Sequence, residues 1–386
     1  MLTRTLPLPK NTFLLLGSRG TGKSTLLRHW FPDALWFDLL DQQELFNVMR
    51  SPSYFAKAVE AGVKKGEWVV IDEIQKAPHL LDEVHRLLET KGIRFALSGS
   101  SARKLKRGGA NLLAGRAFVY HLYPLTLAEI GSASVLNELL AFGSLPKVFF
   151  EASQANRIER LNAYVSTYIS EEIKAEALSR NLPSFSRFLT IAALANGQVT
   201  NVSNIARDAG VSRTTVASYF TVLEDTLVGS FLPAWLPRLR IKEVNHPKFY
   251  LFDTGVTRAL TERLGNVIAP EEKGVLVETL AFHELKCALE YHRVGGSLSY
   301  WRTHDGVEVD FVWQKGERTL AIEVKSSDSW KGSFGKGLMT FQELNRKKTI
   351  CIGVYLGTKR LKEKFGVVYP FAEFAALLQN GNFFSD

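Results

Sequence analysis

The stretch Phe13-Leu14-Leu15-Leu16-Gly17-Ser18-Arg19-Gly20-Thr21-Gly22-Lys23-Ser24-Thr25 decides the fold of the first third of the chain. Its four leading apolar residues read as a buried strand, and an apolar stripe at helical spacing begins at Leu26, Leu27 and Trp30. Between strand and helix, Gly17 to Ser24 fits G-x-x-x-x-G-K-[ST] without a gap. Glycines let successive main-chain N–H groups curl around phosphate oxygens, and the start of the next helix adds its partial positive charge. The pattern assigns phosphate binding to Gly17, Ser18, Arg19, Gly20, Thr21, Gly22, Lys23, Ser24 and Thr25. Lys23 is expected to reach the β- and γ-phosphates of a triphosphate, and the Ser24 hydroxyl to bind Mg²⁺.

Downstream, Trp68-Val69-Val70-Ile71 is an apolar strand ending in Asp72-Glu73. Asp72 at the strand tip can hold Mg²⁺, and Glu73 can orient or deprotonate an attacking water. A further strand, Ile93 to Leu97, runs into Ser98-Gly99-Ser100-Ser101. Ser98 and Ser100 either sense the γ-phosphate or form a simple polar turn. Arg116 precedes the strand Phe118 to Tyr120 and is either an arginine finger acting on a neighbouring subunit's nucleotide or a surface arginine. With Ala34 to Phe37 as another strand and Leu80 to Leu88 as a helix, the alternation predicts a parallel sheet covered on both faces.

At 386 residues the chain has room for about two or three domains. Hydrophobic residues make up 46% and charged residues 23%, which excludes a disordered or collagen-like chain. No apolar run approaches the roughly 18 residues of a membrane span, so no membrane partner is expected. Phe13 to Leu16 is too short for a signal peptide. Two cysteines, Cys287 and Cys351, and eight scattered histidines form no zinc spacing, and they point to the reducing cytoplasm. Forty-eight Lys+Arg against 39 Asp+Glu give a net charge of +9, which suits a polyanionic partner.

From about Val135 to Leu227 the pattern is helical, with a long helix over Arg157 to Ala177 and another over Phe185 to Ala195. Asn204 to Val216 has helix-turn-helix character: Ile205 and Ala206 pack the first helix, Gly210 makes the turn and Ser212 caps the second. Arg213, Thr214 and Thr215 then stand at the start of a recognition helix, where they would contact DNA. Arg238, Arg240 and Lys242 add positive charge just beyond. A lid or protein-contact module is the alternative use of such a segment.

After Pro233, strand signals return. Glu278 falls on a helix. Val307-Glu308-Val309-Asp310-Phe311-Val312 alternates as a strand, and Leu320-Ala321-Ile322-Glu323-Val324-Lys325 follows through the turn Lys315-Gly316 as the second arm of a hairpin. Asp310 and Glu323 together can hold one Mg²⁺ against a phosphodiester, with Lys325 steadying the water or the developing charge. The rival is a plain Glu323–Lys325 ion pair. Between Lys315 and Lys364, twelve basic residues face five acidic ones, a composition suited to a phosphate backbone.

These motifs together resemble the AAA+ ATPases. The runs Ile71-Asp72-Glu73-Ile74-Gln75-Lys76-Ala77-Pro78, Leu97-Ser98-Gly99-Ser100-Ser101 and Leu113-Ala114-Gly115-Arg116 resemble a prokaryotic group with a C-terminal domain of unknown function, and the likeness extends through Tyr164 to Ile173, Lys248 to Gly255 and Glu308 to Phe311. The AAA+ family commonly has asparagine where this strand ends in serines. The C-terminal pattern resembles the PD-(D/E)XK nuclease-like core, with Glu278 as the helix acid and Val309 in place of the proline.

The resemblance implies an α/β fold: a P-loop AAA+ parallel sheet over 1–132, a helical lid and winged-helix segment over 133–246, and a restriction-endonuclease-like domain over 247–386. It implies ATP and Mg²⁺ as cofactors and a homo-oligomeric ring, with a hexamer among the candidate sizes. The expected function is ATP hydrolysis coupled to DNA binding and to remodelling, translocation or cleavage. The alternative is an ATP-dependent switch or scaffold whose nuclease-like fold is inert.

Overall fold

The computed structural model describes residues 2–101, 115–169, 182–235, 246–345 and 349–381. The chain divides into two compact units. One comprises Arg4–Pro124 with Asp225–Val228, and the other comprises Leu125–Glu224 and Gly229–Asp386 with the N-terminal tip.

In the first unit, β1 (Phe13–Leu16), β2 (Leu35–Asp38), β3 (Trp68–Asp72), β4 (Arg94–Gly99) and β5 (Phe118–His121) lie in the order β2-β3-β4-β1-β5, all parallel. Parallel neighbours need crossovers, which α1 (Lys23–Trp30), α2 (Gln42–Arg50), α3 (Pro52–Gly62) and α4 (Leu80–Lys91) supply. Asp41 caps α2 by accepting from the Glu44 N–H at 2.9 Å, and Gly92, at φ 63°, closes α4. Leu14, Leu16, Val69, Ile71, Phe95 and Leu97 of the strands pack with Phe55, Val84 and Leu87 of the helices. Strand register sets Leu16 beside Gly99 and Ile71 beside Leu97, so the loops after β1, β3 and β4 leave from one edge of the sheet. That edge is where open α/β sheets bind ligands.

The second unit begins with α5 (Leu127–Ile130), α6 (Leu136–Phe142), α7 (Pro146–Phe149) and α8 (Gln154–Ala163). The single helix expected over 157–177 is not regular. The α-helix stops at Ala163 and continues as a π-helix over Tyr164–Ile169, a stretch of aromatic and β-branched residues with modest helix propensity. The remainder of that expectation, residues 170–177, lies outside the described residues. Next come α9 (Leu182–Leu194), α10 (Val202–Ala209) and α11 (Arg213–Asp225), then an antiparallel pair, β6 (Gly229–Leu232) with β7 (Lys248–Leu251). Asp253 caps α12 (Thr254–Leu260) through the Val256 N–H at 2.9 Å and also accepts from the Ser144 N–H at 2.8 Å.

Helix α13 (Pro270–Tyr291) leads into a six-stranded sheet of β8 (Ser297–Arg302), β9 (Glu308–Lys315), β10 (Arg318–Lys325), β11 (Thr349–Tyr355), β12 (Leu361–Glu363) and β13 (Gly366–Pro370), in the order β12-β13-β11-β10-β9-β8. The β9–β10 hairpin forms as its turn predicts, with Lys315 opposite Arg318. Strand β9 does not alternate between buried and exposed residues: Val309 to Trp313 are all buried. Two features cause this. Helix α13 and α15 (Phe371–Gln379) cover one face while α14 (Lys336–Leu344) covers the other. In addition, Ser299 pairs with Val312 and Trp301 with Val309, so β9 carries one extra residue as a bulge around Asp310. Such bulges re-aim side chains.

Candidate functional site

The loop from Gly17 to Ser24 wraps around a cation of its own. Gly20 at φ 84° and Gly22 at φ 94° occupy backbone conformations that favour glycine. A Cβ on Gly17 would sit 2.4 Å from the Leu122 carbonyl oxygen and 2.9 Å from Thr21 Oγ1, so the cradle is closed to any side chain there. The Thr21 hydroxyl donates to the Ser18 carbonyl at 2.9 Å. Lys23, 5% exposed at the start of α1, donates its ammonium to the Gly17 carbonyl at 2.7 Å and the Ser18 carbonyl at 3.3 Å. Ser24 is half-buried in the first turn of α1, while Arg19 and Thr25 are exposed. The glycine cradle and its buried ammonium fit a phosphate chain. The Ser24 hydroxyl and the Asp72 carboxylate are hard oxygen donors of the kind Mg²⁺ takes.

Asp72 is 1% exposed at the tip of β3, and the Ser98 hydroxyl at the end of β4 donates to its carboxylate. The Glu73 main-chain N–H donates to the same Ser98 Oγ at 3.2 Å. Glu73 is held at φ 60°, a strained conformation for a residue with a side chain. Its carboxylate accepts from the Gln75 amide, which also donates to Ser100 Oγ at 3.0 Å. Sequence reasoning nominated Glu73, Asp72, Ser98 and Ser100 but missed Gln75, which binds two of them. Arg116 is exposed and pairs with Glu89 of the same chain. Leu113 and Ala114 of its motif lie outside the described residues.

The second unit gathers another charged cluster. The Val324 N–H donates to Asp310 Oδ2 at 2.7 Å, and the Lys325 ammonium lies 3.8 Å from that oxygen while also pairing with Glu323. Glu323 Oε2 is buried and accepts no hydrogen bond. Glu278 of α13 accepts from the Lys248 ammonium at 2.9 Å and from the Tyr250 hydroxyl. Lys248 also pairs with Glu308, which has Arg302 at 3.7 Å. Thus Glu278, Asp310, Glu323 and Lys325 do converge, with Lys248, Tyr250 and Glu308 added.

Burial, and then the charge of Asp310, pushes Glu323 well above the usual carboxylate range and raises Glu278. Burial and the nearby Glu278 likewise raise the Tyr250 phenol. Burial alone would lower both lysines, yet the surrounding carboxylates hold Lys248 and Lys325 above the ordinary value. Burial is the first cause throughout, and the surplus of carboxylate over ammonium adds to it for the acids and outweighs it for the lysines. The orphaned Glu323 oxygen beside Asp310 fits a cation. Among the described residues, no group of three or more His, Cys, Asp or Glu side chains is placed to hold a metal ion.

Helix α10 ends at Gly210 with φ 67°, and Ser212 Oγ accepts from the Thr215 N–H at 3.1 Å to start α11. Arg213 and Thr214 are exposed there, and Thr215 is half-buried. Arg238, Arg240, Lys242, Arg346, Lys347 and Lys348 lie outside the described residues. No helix among the described residues is long and apolar enough to cross a membrane.

Residues 9–131 match the family described as an AAA domain. Residues 134–266 and 273–374 match two domains of unknown function, DUF8612 and DUF4143. Uncharacterized proteins of Mycobacterium tuberculosis and Mycobacterium bovis are each 27% identical over 326 residues, 82% of this chain and 70% of theirs. One from Methanocaldococcus jannaschii is 22% identical over 307 residues, 72% of this chain and 67% of its own. Among solved structures, Thermotoga maritima RuvB aligns over 58% of this chain and 82% of its own at 16% identity, with a TM-score of 0.29. The Aeropyrum pernix ORC1 protein in complex with DNA aligns over 66% and 87% at 15% identity, with a TM-score of 0.28. The chain thus combines an AAA-type P-loop fold with a separate C-terminal sheet domain.

Proposed function

We propose that this protein is a Mg²⁺-dependent ATPase whose turnover is coupled to engagement of DNA by its second unit. The carrying observation is the buried Lys23 ammonium inside the Gly17–Ser24 cradle, on the sheet edge that also bears Asp72, Glu73 and Ser98. Main-chain N–H groups of the loop bind the phosphates, and Lys23 turns from the loop carbonyls to the β- and γ-oxygens. Ser24 and Asp72 would hold Mg²⁺, which when bound neutralises phosphate charge. Glu73 orients the attacking water, Ser98 fixes Asp72, and Ser100 stands at the γ-phosphate end. Arg116 of a neighbouring copy completes the site in a homo-oligomeric ring, for which a hexamer is one form.

On the DNA side, Arg213, Thr214 and Thr215 lie at the exposed start of α11, within helices followed by a strand pair, an order compatible with a winged helix. Asp310 and Glu323 would hold Mg²⁺ beside Lys325, with Glu278 as the helix acid of a PD-(D/E)XK-like site. A second reading has its own support: Lys248 and Lys325 already engage Glu278, Glu308, Asp310 and Glu323, as they would in an inert scaffold fold.

The test is to incubate the full chain with ATP, Mg²⁺ and duplex, single-stranded or branched DNA, scoring ADP release and strand cuts. DNA-responsive turnover that is absent in Lys23→Ala supports the proposal. Turnover indifferent to DNA, with no salt-sensitive DNA binding, defeats the coupling. Cuts lost in Glu323→Ala assign the nuclease role, and a lack of cuts assigns the scaffold.

A further inference from the structure

We infer that Gln75 is a positioning residue that sets the Glu73 carboxylate for water activation and ties it to the tip of β4. The inference rests on the ATPase reading above and adds a residue to it. Directly after β3 the chain makes a tight turn over Ile74–Lys76, in which the Lys76 N–H donates to the Glu73 carbonyl at 2.9 Å and the Ala77 N–H to the Ile74 carbonyl at 3.0 Å. Ile74 and Ala77 are buried and anchor the turn. It folds the Gln75 side chain back beneath the site, where the residue is only 9% exposed.

The Gln75 amide nitrogen has two acceptors, the Glu73 carboxylate and Ser100 Oγ, the latter at 3.0 Å. Its orientation is fixed by chemistry, because a reversed amide would set its oxygen against the carboxylate. The other end, Oε1, is buried without a hydrogen-bond partner. It lies against the bare Gly99 backbone, where a Cβ would come within 2.8 Å of it. A buried amide with one end orphaned is unfavourable packing for mere filling. Leucine would fill the space without leaving a polar atom unsatisfied. What the amide supplies that leucine cannot is a pair of donors, one to the candidate base and one to the strand that bears the candidate phosphate sensors.

Ser98 serves Asp72, and Ser100 serves Glu73 through Gln75, so the end of β4 and the residue just past it hold the two carboxylates by separate links. The two hydrogen bonds of Gln75 thus run to Glu73 and Ser100 and not to the loop over residues 17–24, so it acts on the chemical step chiefly through Glu73.

The test measures steady-state ATP turnover and ADP affinity of the full chain with Gln75→Leu and Gln75→Glu. Misplacing a reacting group by about 1 Å can cost up to about a hundredfold in rate. The expected result is a kcat reduced by about tenfold to a hundredfold in Gln75→Leu, lower still in Gln75→Glu, with KM for ATP and affinity for ADP within about twofold of the wild type. In a Glu73→Gln background, adding Gln75→Leu should change the residual rate by less than about twofold, because residues acting as a unit are not additive. A Gln75→Leu kcat equal to wild type, nucleotide affinity falling in step with kcat, or an equal loss in the Glu73→Gln background would each overturn the inference. Wild-type turnover no higher than that of Lys23→Ala defeats the ATPase reading and takes the inference with it. Normal turnover in Gln75→Leu defeats the inference alone.

Discussion

Ser98 donates its hydroxyl to the buried Asp72 carboxylate, joining the tips of β4 and β3. One of the serines ending the strand where the AAA+ resemblance expects asparagine is thus engaged with the carboxylate proposed to hold Mg²⁺, and it also accepts from the Glu73 N–H. Ser98→Ala leaves a buried carboxylate short of a donor. The expected cost is about 1–3 kcal/mol of stability, read by urea denaturation, together with weaker Mg²⁺ dependence of ATP turnover.

Lys23→Ala removes the ammonium that fills the cradle. ATP turnover should fall by about a hundredfold or more, the cost of losing a preorganised charge at developing phosphate charge. ADP release measures it. Gly17→Ala should also abolish nucleotide binding, because the added Cβ meets the Leu122 carbonyl at 2.4 Å, and equilibrium titration with a fluorescent ADP analogue checks this.

Lys248 is the ammonium shared by Glu278 and Glu308. Lys248→Met takes the ammonium from Glu278, which keeps the Tyr250 hydroxyl, and leaves Glu308 with Arg302 alone. Breaking a buried pair from one side costs about 3–5 kcal/mol, an upper bound for these partly exposed carboxylates. Glu278→Gln in the same background should recover part of the loss. Denaturant midpoints of the two variants and the wild type decide it.

Glu284 of α13 accepts from the Leu127 N–H at 2.7 Å and is 2% exposed. Burial, opposed by that N–H and aided by Glu129, pushes its carboxyl from 4.5 up to about 8. The folded value lies above the unfolded one. Its contribution is therefore full below about pH 4.5 and lost as pH rises through about 8. Across that window stability should fall by several kcal/mol, at a slope of about 1.4 kcal/mol for each tenfold drop in proton concentration. Glu284→Gln keeps an acceptor for Leu127 without the charge and should flatten the slope of unfolding free energy against pH.

Arg213 stands exposed at the start of α11. If it meets phosphate, Arg213→Ala should weaken DNA binding evenly across sequences and reduce the salt slope by about one. Fluorescence anisotropy over a salt series measures both.

The glycine loop over residues 17–24, the β9–β10 hairpin and the Glu323–Lys325 pairing were legible because each is written in contiguous residues whose spacing fixes its local geometry. Gln75, Lys248, Tyr250 and Glu308 were not. Their roles arise where separate elements meet: a tight turn under β4 for Gln75, and β7 against α13 and β9 for the others. The bulge around Asp310 was hidden for a related reason. Val307 to Val312 alternates in sequence, but the extra residue and the second helical layer cancel the period. Strands β12 and β13 carry too few residues for a periodic signal.

Because β7 brings Lys248 and Tyr250 to Glu278, the C-terminal sheet cannot be cut free at the start of α13 without cost. A fragment beginning at residue 270 would keep Glu278 and Glu308 but leave their shared counterion behind. Excision that respects the chemistry has to start upstream of β7, which makes that strand an inseparable part of whatever the terminal module does.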